Sequence, residues 1–496
     1  MRVVRSMMAG ALLAGGVLGG CSLAPHYVRA VPPVTESWPT GDAYLAQREA
    51  ALPVVSYREI FTDPRFQTLV ETALANNRDI RVAAANLAAA RAQVRVVRAN
   101  QFPEIDASAG VRRVDGDGGG SGSASGGSGG GTGTGGTGSS GSSSGSGGSG
   151  TSYTASVGVS SFELDLFGRL ANATEAQRQS ALATEAVART VRLGLVADLA
   201  NAWAQHAADS DLLRIARATA ASAGKSVALS RARLAGGVSP RTELRQAEQI
   251  LATADADVAA QTTAVAQDRN LIVLLAGGPV DPALLPASLA EVVGTVRTLP
   301  AGTSSEVLLR RPDVLAAEYR LRSANAEIGV ARAALFPRIS LTGLLGLASD
   351  ALTSLFSGGA FHTTLGASAS YSIFNAGGAR ARVAVSEAER DAALATYEKA
   401  IQTAFREVSD ALARQGTIGA ELAAVRRQEA ATADTAALTT ARYRGGVASS
   451  LENLDAQRSL YTAQRTLVRE QLLLVQNRVT LYRVLGGDQL APPVPR

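Results

Sequence analysis

Cysteine, histidine and lysine are nearly missing from this chain of 496 residues. A single cysteine, Cys21, excludes internal disulfides, and with only His26, His206 and His362 beside it a Cys/His zinc site is excluded too. No metal and no cofactor is expected. Three histidines in unrelated places offer no nucleophile–base pair, which argues against an enzyme. His206 falls on a helical pattern and His362 near a strand start, so both read as structural or exposed. Lysine stands only at 225 and 399, so 46 of the 48 basic residues are arginine, against 43 acidic ones. The net charge of +5 is spread along the chain, without the basic patch that nucleic-acid binding needs. Aromatic residues are 4% of the total, few for a large packed core or a stacking platform. Beyond Cys21 no run of 18 apolar residues occurs. Any crossing of a bilayer must then be made by β-strands closed into a barrel.

The N-terminus sets the compartment. Arg2 and Arg5 precede an apolar run from Met7 to Leu18, as in a secretory signal, and the run is too short to span a membrane. It ends in Leu18-Gly19-Gly20-Cys21, which resembles a bacterial lipobox. Residues 1–20 are therefore expected to be cleaved and Cys21 to carry covalent lipid; the plainer alternative is an ordinary signal peptide with a stray thiol. Several acyl chains, at about 0.8 kcal/mol per buried CH₂, would hold the mature chain firmly to a membrane. Ser22 follows the cysteine, not the aspartate that retains some lipoproteins at the inner membrane, so an outer-membrane address is favoured.

The mature chain is written twice. Asp79 to Ile105 aligns without gaps to Asp313 to Ile339, sharing Phe102-Pro103 with Phe336-Pro337. Gly236 to Gly278 aligns likewise to Gly445 to Gly487, sharing Gly-Gly-Val at 236 and 445. Such punctuation points to duplication rather than convergent Ala-rich helices. The first copy is longer, and the excess contains Ser121 to Gly150, with 15 Gly, 11 Ser, 3 Thr and 1 Ala. That composition buries nothing, so residues 116–150 are expected to form a disordered, solvent-facing loop within one repeat.

Around that insertion, and at the matching place in copy two, the hydrophobic period becomes two. Ile105–Arg113, Tyr153–Leu166, Ile339–Leu347 and a last segment carrying Leu365, Ala367, Ala369, Tyr371 and Ile373 read as four strands. In the second, Val157 and Val159 are expected on one face and Phe162, Leu164 and Leu166 on the other. Lengths near ten residues suit tilted membrane strands, although soluble hairpins look alike at this level. The rest reads as helix: Arg169–Leu234 and Ala379–Arg444 contain no proline and would each rise about 100 Å. Pro64–Asn100 and Arg241–Leu275 are about half as long, so two stacked halves would match one long helix. Four strands cannot close a barrel and open edges in lipid are costly, so membrane insertion would force several copies to share one.

Short motifs now add a resemblance. Cys21-Ser22-Leu23-Ala24-Pro25-His26-Tyr27, Leu308-Leu309-Arg310-Arg311-Pro312-Asp313-Val314, Phe162-Glu163-Leu164-Asp165-Leu166-Phe167-Gly168-Arg169, Phe374-Asn375-Ala376-Gly377-Gly378 and Leu454-Asp455-Ala456-Gln457-Arg458 resemble motifs of the TolC-like outer membrane efflux proteins. The likeness is nearest to the lipoprotein branch serving resistance-nodulation-division (RND) pumps, and only the Gly/Ser tract lacks a counterpart. It implies a mixed, mainly α fold with membrane β. In it a homotrimer forms a 12-stranded β-barrel, four strands per protomer, continued by a long periplasmic α-helical barrel. It also implies a passive conduit for drugs or other small toxic compounds, partnered by a periplasmic adaptor and an inner-membrane RND pump.

Carried over residue by residue, the tip turns would be Gly236, Gly237, Gly445 and Gly446. The gate would involve Tyr443, Leu451, Asp455 and Glu243, set in rings by three-fold symmetry. The plainer reading of Leu451 is packing, and of Asp455 a solvated or capping carboxylate. Three places depart from the pattern: Ala448 stands where some relatives have an arginine, Ser304 where proline is frequent, and Gly486-Gly487-Asp488 lacks a third glycine and tryptophan. The resulting division is a signal peptide (1–20), an anchored segment (21–60), repeat one (61–278), a linker (279–303), repeat two (304–487) and a tail (488–496). Two other functions stay open: the outer channel of a type I protein-secretion system, and a periplasmic coiled-coil adaptor or structural lipoprotein. The adaptor would explain the helices but not the strand pairs.

Overall fold

The computed structural model describes residues 22–44, 56–114, 150–298 and 304–489. The signal segment, Cys21 and the loop expected at 116–149 lie outside them. Seven principal helices and four strands follow in the order α1 (Pro64–Asn76), α2 (Arg78–Ala99), β1 (Asp106–Val114), β2 (Gly150–Leu164), α3 (Arg169–Ala235), α4 (Arg241–Ala276), α5 (Pro312–Ala333), β3 (Arg338–Ser349), β4 (Phe361–Ser370), α6 (Gly378–Arg444) and α7 (Ser450–Val484). They divide into two compact units that cut across the repeats. One takes Arg95–Thr174 and Gly329–Ala384 with the segment up to Ala24; the other takes Pro25–Val94, Glu175–Ile328 and Val385–Arg496.

The first unit is a sheet in the order β1-β2-β3-β4, antiparallel throughout. Gly150, assigned above to the loop, instead opens β2 opposite Val114. Between Val159 and Phe162 the pairing slips: Val159 faces Gly343 and Phe162 faces Leu341, so two residues of β2 oppose the single Thr342. This bulge overturns the expectation that Phe162 and Leu164 lie opposite Val157 and Val159. One inserted residue reverses the pleat, and all four share a face with Ile339, Leu341 and Leu345. Gly158 is adjacent, at φ 153°, and a Cβ there would stand 2.1 Å from the Gly343 carbonyl oxygen, so only glycine fits.

Register places Ala107, Ala109 and Val111, then Tyr153 and Ala155, and finally Phe361, Leu365, Ala367 and Ala369 on that same face. Six cross-strand rows from Val111 to Leu164 span about 33 Å along the strands, or about 25 Å at a tilt near 40°, the height of a membrane barrel's apolar band. The other face carries Ser108, Thr154, Ser156, Thr342, Thr364 and Ser368. Strand β4 stops at Ser370, leaving Tyr371 and Ile373 outside, and β2 stops short of Leu166. The next partner for β4 would be Pro337, which has no N–H to give, and Leu166 would fall opposite the same proline. Beyond the strands the two Phe-Pro junctions differ in packing, for Phe336 stacks on Phe167 at 4.5 Å.

The second unit is helical. The long helices extend one residue past expectation at one end, at 67 residues each. The 37-residue helix expected from Pro64 is instead broken at Asn77 (φ −58°, ψ 137°), whose side chain accepts from the N–H groups of Asp79 and Ile80 at 2.8 and 3.2 Å and so caps α2. The Asn77 amide also donates to the Leu275 carbonyl at 2.9 Å, where α4 ends at the left-handed Gly277. The half-length helices do meet end to end, and copy two repeats the joint with other chemistry. Arg311, aligned with Asn77, donates from Nη1 to the Val484 carbonyl at 2.7 Å, and Val484 aligns with Leu275. Nη2 reaches Asp313 at 2.7 Å and Glu407 at 2.9 Å. The Arg-Arg-Pro-Asp motif is thus a helix-end cap: a 6% exposed arginine satisfies a carbonyl that the last turn leaves without a partner. The core around it holds Phe61, Phe66, Trp203, Tyr397 and Tyr482.

Residues 25–44 lie along this unit. Glu318, 1% exposed, accepts from Tyr27 at 3.2 Å, from Arg29 at 3.1 and 2.6 Å, and from Arg322 at 2.6 Å. Trp38 stacks on Phe405 at 5.4 Å. Burial works to raise the Glu318 carboxyl, but the arginine bonds and charges outweigh it and hold the group below its ordinary value.

Candidate functional site

Each long helix reverses at a Gly-Gly-Val turn. Helix α3 ends with the Val238 N–H on the Arg233 carbonyl at 3.0 Å, and α6 with the Val447 N–H on the Arg442 carbonyl at 2.9 Å. These six-to-one bonds need a left-handed residue, and Gly237 (φ 73°) and Gly446 (φ 76°) supply it. Gly236 and Gly445, named with them above, are not left-handed, and a Cβ at either would meet only ordinary contacts at 3.5 Å.

The two turns are tied side by side. Tyr443, 5% exposed near the end of α6, donates its hydroxyl to Glu243 on α4 at 2.8 Å. Ser239 donates to the same carboxylate, and Ser450 bonds there as well. The Arg233 guanidinium lies 4.6 Å above the Tyr443 ring centroid. Burial would raise the Glu243 carboxyl, but bonds from Ser239, Tyr443 and Ser450 and the charge of Arg233 bring it below its usual range. Burial and the adjacent Glu243 push the Tyr443 hydroxyl up, so it stays a donor at neutral pH.

Leu451 and Asp455 stand apart from that cluster. Leu451 is 63% exposed, and Asp455 pairs with Arg458 one turn on at 2.5 Å, which offsets much of its charge. Both line a groove of about 250 Å³ with Ile250 and Tyr461. Above it Tyr461 donates to Asp257 at 2.5 Å while Arg465 reaches the same oxygen at 3.1 Å and stacks 5.3 Å from the Tyr461 ring. Tyrosine, acid and arginine therefore join α4 to the copy-two hairpin twice.

Sequence reasoning missed Arg233, Ser239, Ser450 and the Asp257 cluster. One signal was present: Arg233 and Glu243 align with Arg442 and Glu452. It also missed a pair of neighbouring acids farther along, the buried Asp209 and the half-buried Asp268. Asp268 is raised to about 7 by burial and by the hydrogen bond and charge of Asp209. The aligned residue in copy two is Asn477, which donates to Gln415 at 3.1 Å.

The sequence profile of outer membrane efflux proteins matches residues 69–278 and 303–487. The chain belongs to that family. Among its relatives in this family, a solvent efflux pump outer membrane protein of Pseudomonas putida is 38% identical over 95% of this chain and 96% of its own length. The outer membrane protein OprJ of Pseudomonas aeruginosa is 36% identical over 96% and 95%. Of solved structures, a membrane protein from Pseudomonas aeruginosa superposes with a TM-score of 0.82 at 34% identity, covering 95% of this chain and 98% of that one. The open state of the Neisseria gonorrhoeae MtrE outer membrane channel gives 0.80 at 31%, covering 95% and 99%. The efflux-protein fold read from the motifs is thereby established, and the family is one of transport channels rather than enzymes.

Proposed function

We propose that this outer membrane efflux protein is the exit duct of a tripartite RND-type system, passing small toxic compounds from the periplasm or the cell to the exterior. The sheet carries this reading. One face is mostly apolar for about 25 Å, interrupted at Ser349 and Thr363, and β1 and β4 each leave an edge without a neighbour among the described residues. An open edge in lipid costs several kcal/mol for each unpaired backbone group. Four strands per chain also leave β4 antiparallel to β1, so identical copies join by ordinary antiparallel pairing, and three make twelve strands. The names of relatives that export solvents, toluene or antibiotics support the substrate class.

Lipid on Cys21 anchors the N-terminus at the outer membrane, with the helical part extending into the periplasm. The ties among Arg29, Tyr27 and Glu318 hold the segment that follows. The Gly-Gly-Val turns form the periplasmic tip that meets an adaptor protein and, through it, the pump that supplies the energy. Tyr443 and Glu243 latch the two hairpins of one protomer, while Leu451 and Asp455 form the narrow rings. The duct performs no covalent chemistry. In planar bilayers the purified protein should run as a heat-modifiable trimer and give small closed-state steps that Tyr443→Leu or Glu243→Gln enlarge. Absence of any conductance would refute the duct; an unchanged step size in both variants would refute the latch.

A further inference from the structure

The repeat makes the tip a natural comparison of one sequence in two settings. In copy two, Arg442 and Glu452 pair within their own hairpin at 3.0 Å. Their copy-one equivalents, Arg233 and Glu243, both converge on Tyr443 of the other hairpin, the arginine on its ring and the acid on its hydroxyl. The copy-two position of Tyr443 corresponds to Leu234 in copy one, so the tie exists in one direction only. Among the described residues the cation over the Tyr443 ring is Arg233, from copy one.

We propose that Arg233 is the positioning residue of the latch, clamping the Tyr443 ring so that its hydroxyl stays on Glu243. Copy one thus supplies the cation as well as the acid, and copy two the tyrosine between them, with Ser450 as a second partner of the acid. The inference rests on the gate reading above and adds the residue on which that gate's strength depends. A planar guanidinium covers the ring face and also lowers the cost of the ionised acid beside it. An ammonium at the same place keeps the charge but not the flat stacking surface.

Single-channel conductance of the full-length protein in planar bilayers tests this, with heat-stable oligomers and unchanged circular dichroism as the folding check. Arg233→Ala should raise closed-state conductance at neutral pH several-fold, and Arg233→Lys should recover part of the difference. The pH below which conductance climbs should move upward in Arg233→Ala, because Glu243 loses a cation that helps to keep it ionised. A structural filler would not produce that shift. In a Tyr443→Leu background, Arg233→Ala should add nothing. Equal effects with and without the tyrosine would overturn the proposal, as would Arg233→Ala behaving like the wild type while Tyr443→Leu and Glu243→Gln open the channel. If none of the three variants changes conductance, the gate reading itself falls.

Discussion

Replacing Arg311 by methionine should destabilise the helical unit by about 3 kcal/mol. The guanidinium is 6% exposed and makes four hydrogen bonds, one to the Val484 carbonyl, two to Asp313 and one to Glu407. Methionine keeps the stem but leaves the carbonyl at the end of α7 buried without a donor, a loss of about 1–3 kcal/mol. Stranding a carboxylate by removing its buried partner costs about 3–5 kcal/mol when the site is sealed. Here the side chains of Asp313 and Glu407 are 44% and 35% exposed, so water recovers much of that and the sum stays near the lower figure. Arg311→Asn installs the residue of the equivalent joint, where Asn77 both caps a helix and donates to Leu275, and should recover about 1 kcal/mol of the loss. Adding Glu407→Gln to Arg311→Met should help in the same sense, since one of the two stranded carboxylates becomes neutral. Denaturant unfolding of the detergent-solubilised protein, followed by far-ultraviolet circular dichroism, reads all three. A loss below about 1 kcal/mol in Arg311→Met would refute the capping role assigned to the motif.

Other tests address charge and the anchor. The folded pKa of Asp268 is raised above its ordinary 3.8 to about 7 by burial and the neighbouring Asp209, so the stability it contributes is present in acid and lost as pH climbs through that interval. Asp268→Asn, which copies Asn477, should flatten this dependence and raise the melting temperature above pH 7; an unchanged profile would contradict it. Glu243 is shifted the other way, so its latch contribution is intact above its ordinary value of 4.5 and lost only as pH falls through the lower folded value. Conductance should therefore rise only in strong acid, and Glu243→Gln should remove that acid step. Cys21→Ser should abolish incorporation of labelled fatty acid, and persistent labelling would reject the anchor. Asp455→Ala should reduce cation selectivity only modestly, because Arg458 already offsets the acid; Arg458→Ala should increase it.

What the sequence made legible follows from which forces are local. Long proline-free stretches read correctly as long helices, and two-residue alternation read correctly as strands, because each signal sits within the segment that it describes. The bulge at Val159 was hidden because it is a relation between β2 and β3, and alternation along β2 alone suggested that Phe162 changed faces. Likewise β4 ends where its partner's proline stops donating, a fact absent from β4 itself. The helix break at Asn77 was recoverable: Arg78 aligns with Pro312, and a proline there marks a helix start in either copy. Tyr443 and Glu243 were singled out one by one near the turns, but their direct bond depends on two hairpins lying side by side. Arg233 looked like one arginine among 46.

Cross-linking of the sheet edges tests the shared barrel most directly. Cysteines placed at Ser108 on β1 and Ser368 on β4, in a Cys21→Ser background, can be joined by a short bifunctional maleimide in outer-membrane vesicles. The doubly substituted chain should give a ladder ending at three copies, and either single variant should give none above two. A product confined to the monomer, or a ladder continuing past three, would contradict a barrel closed by three chains.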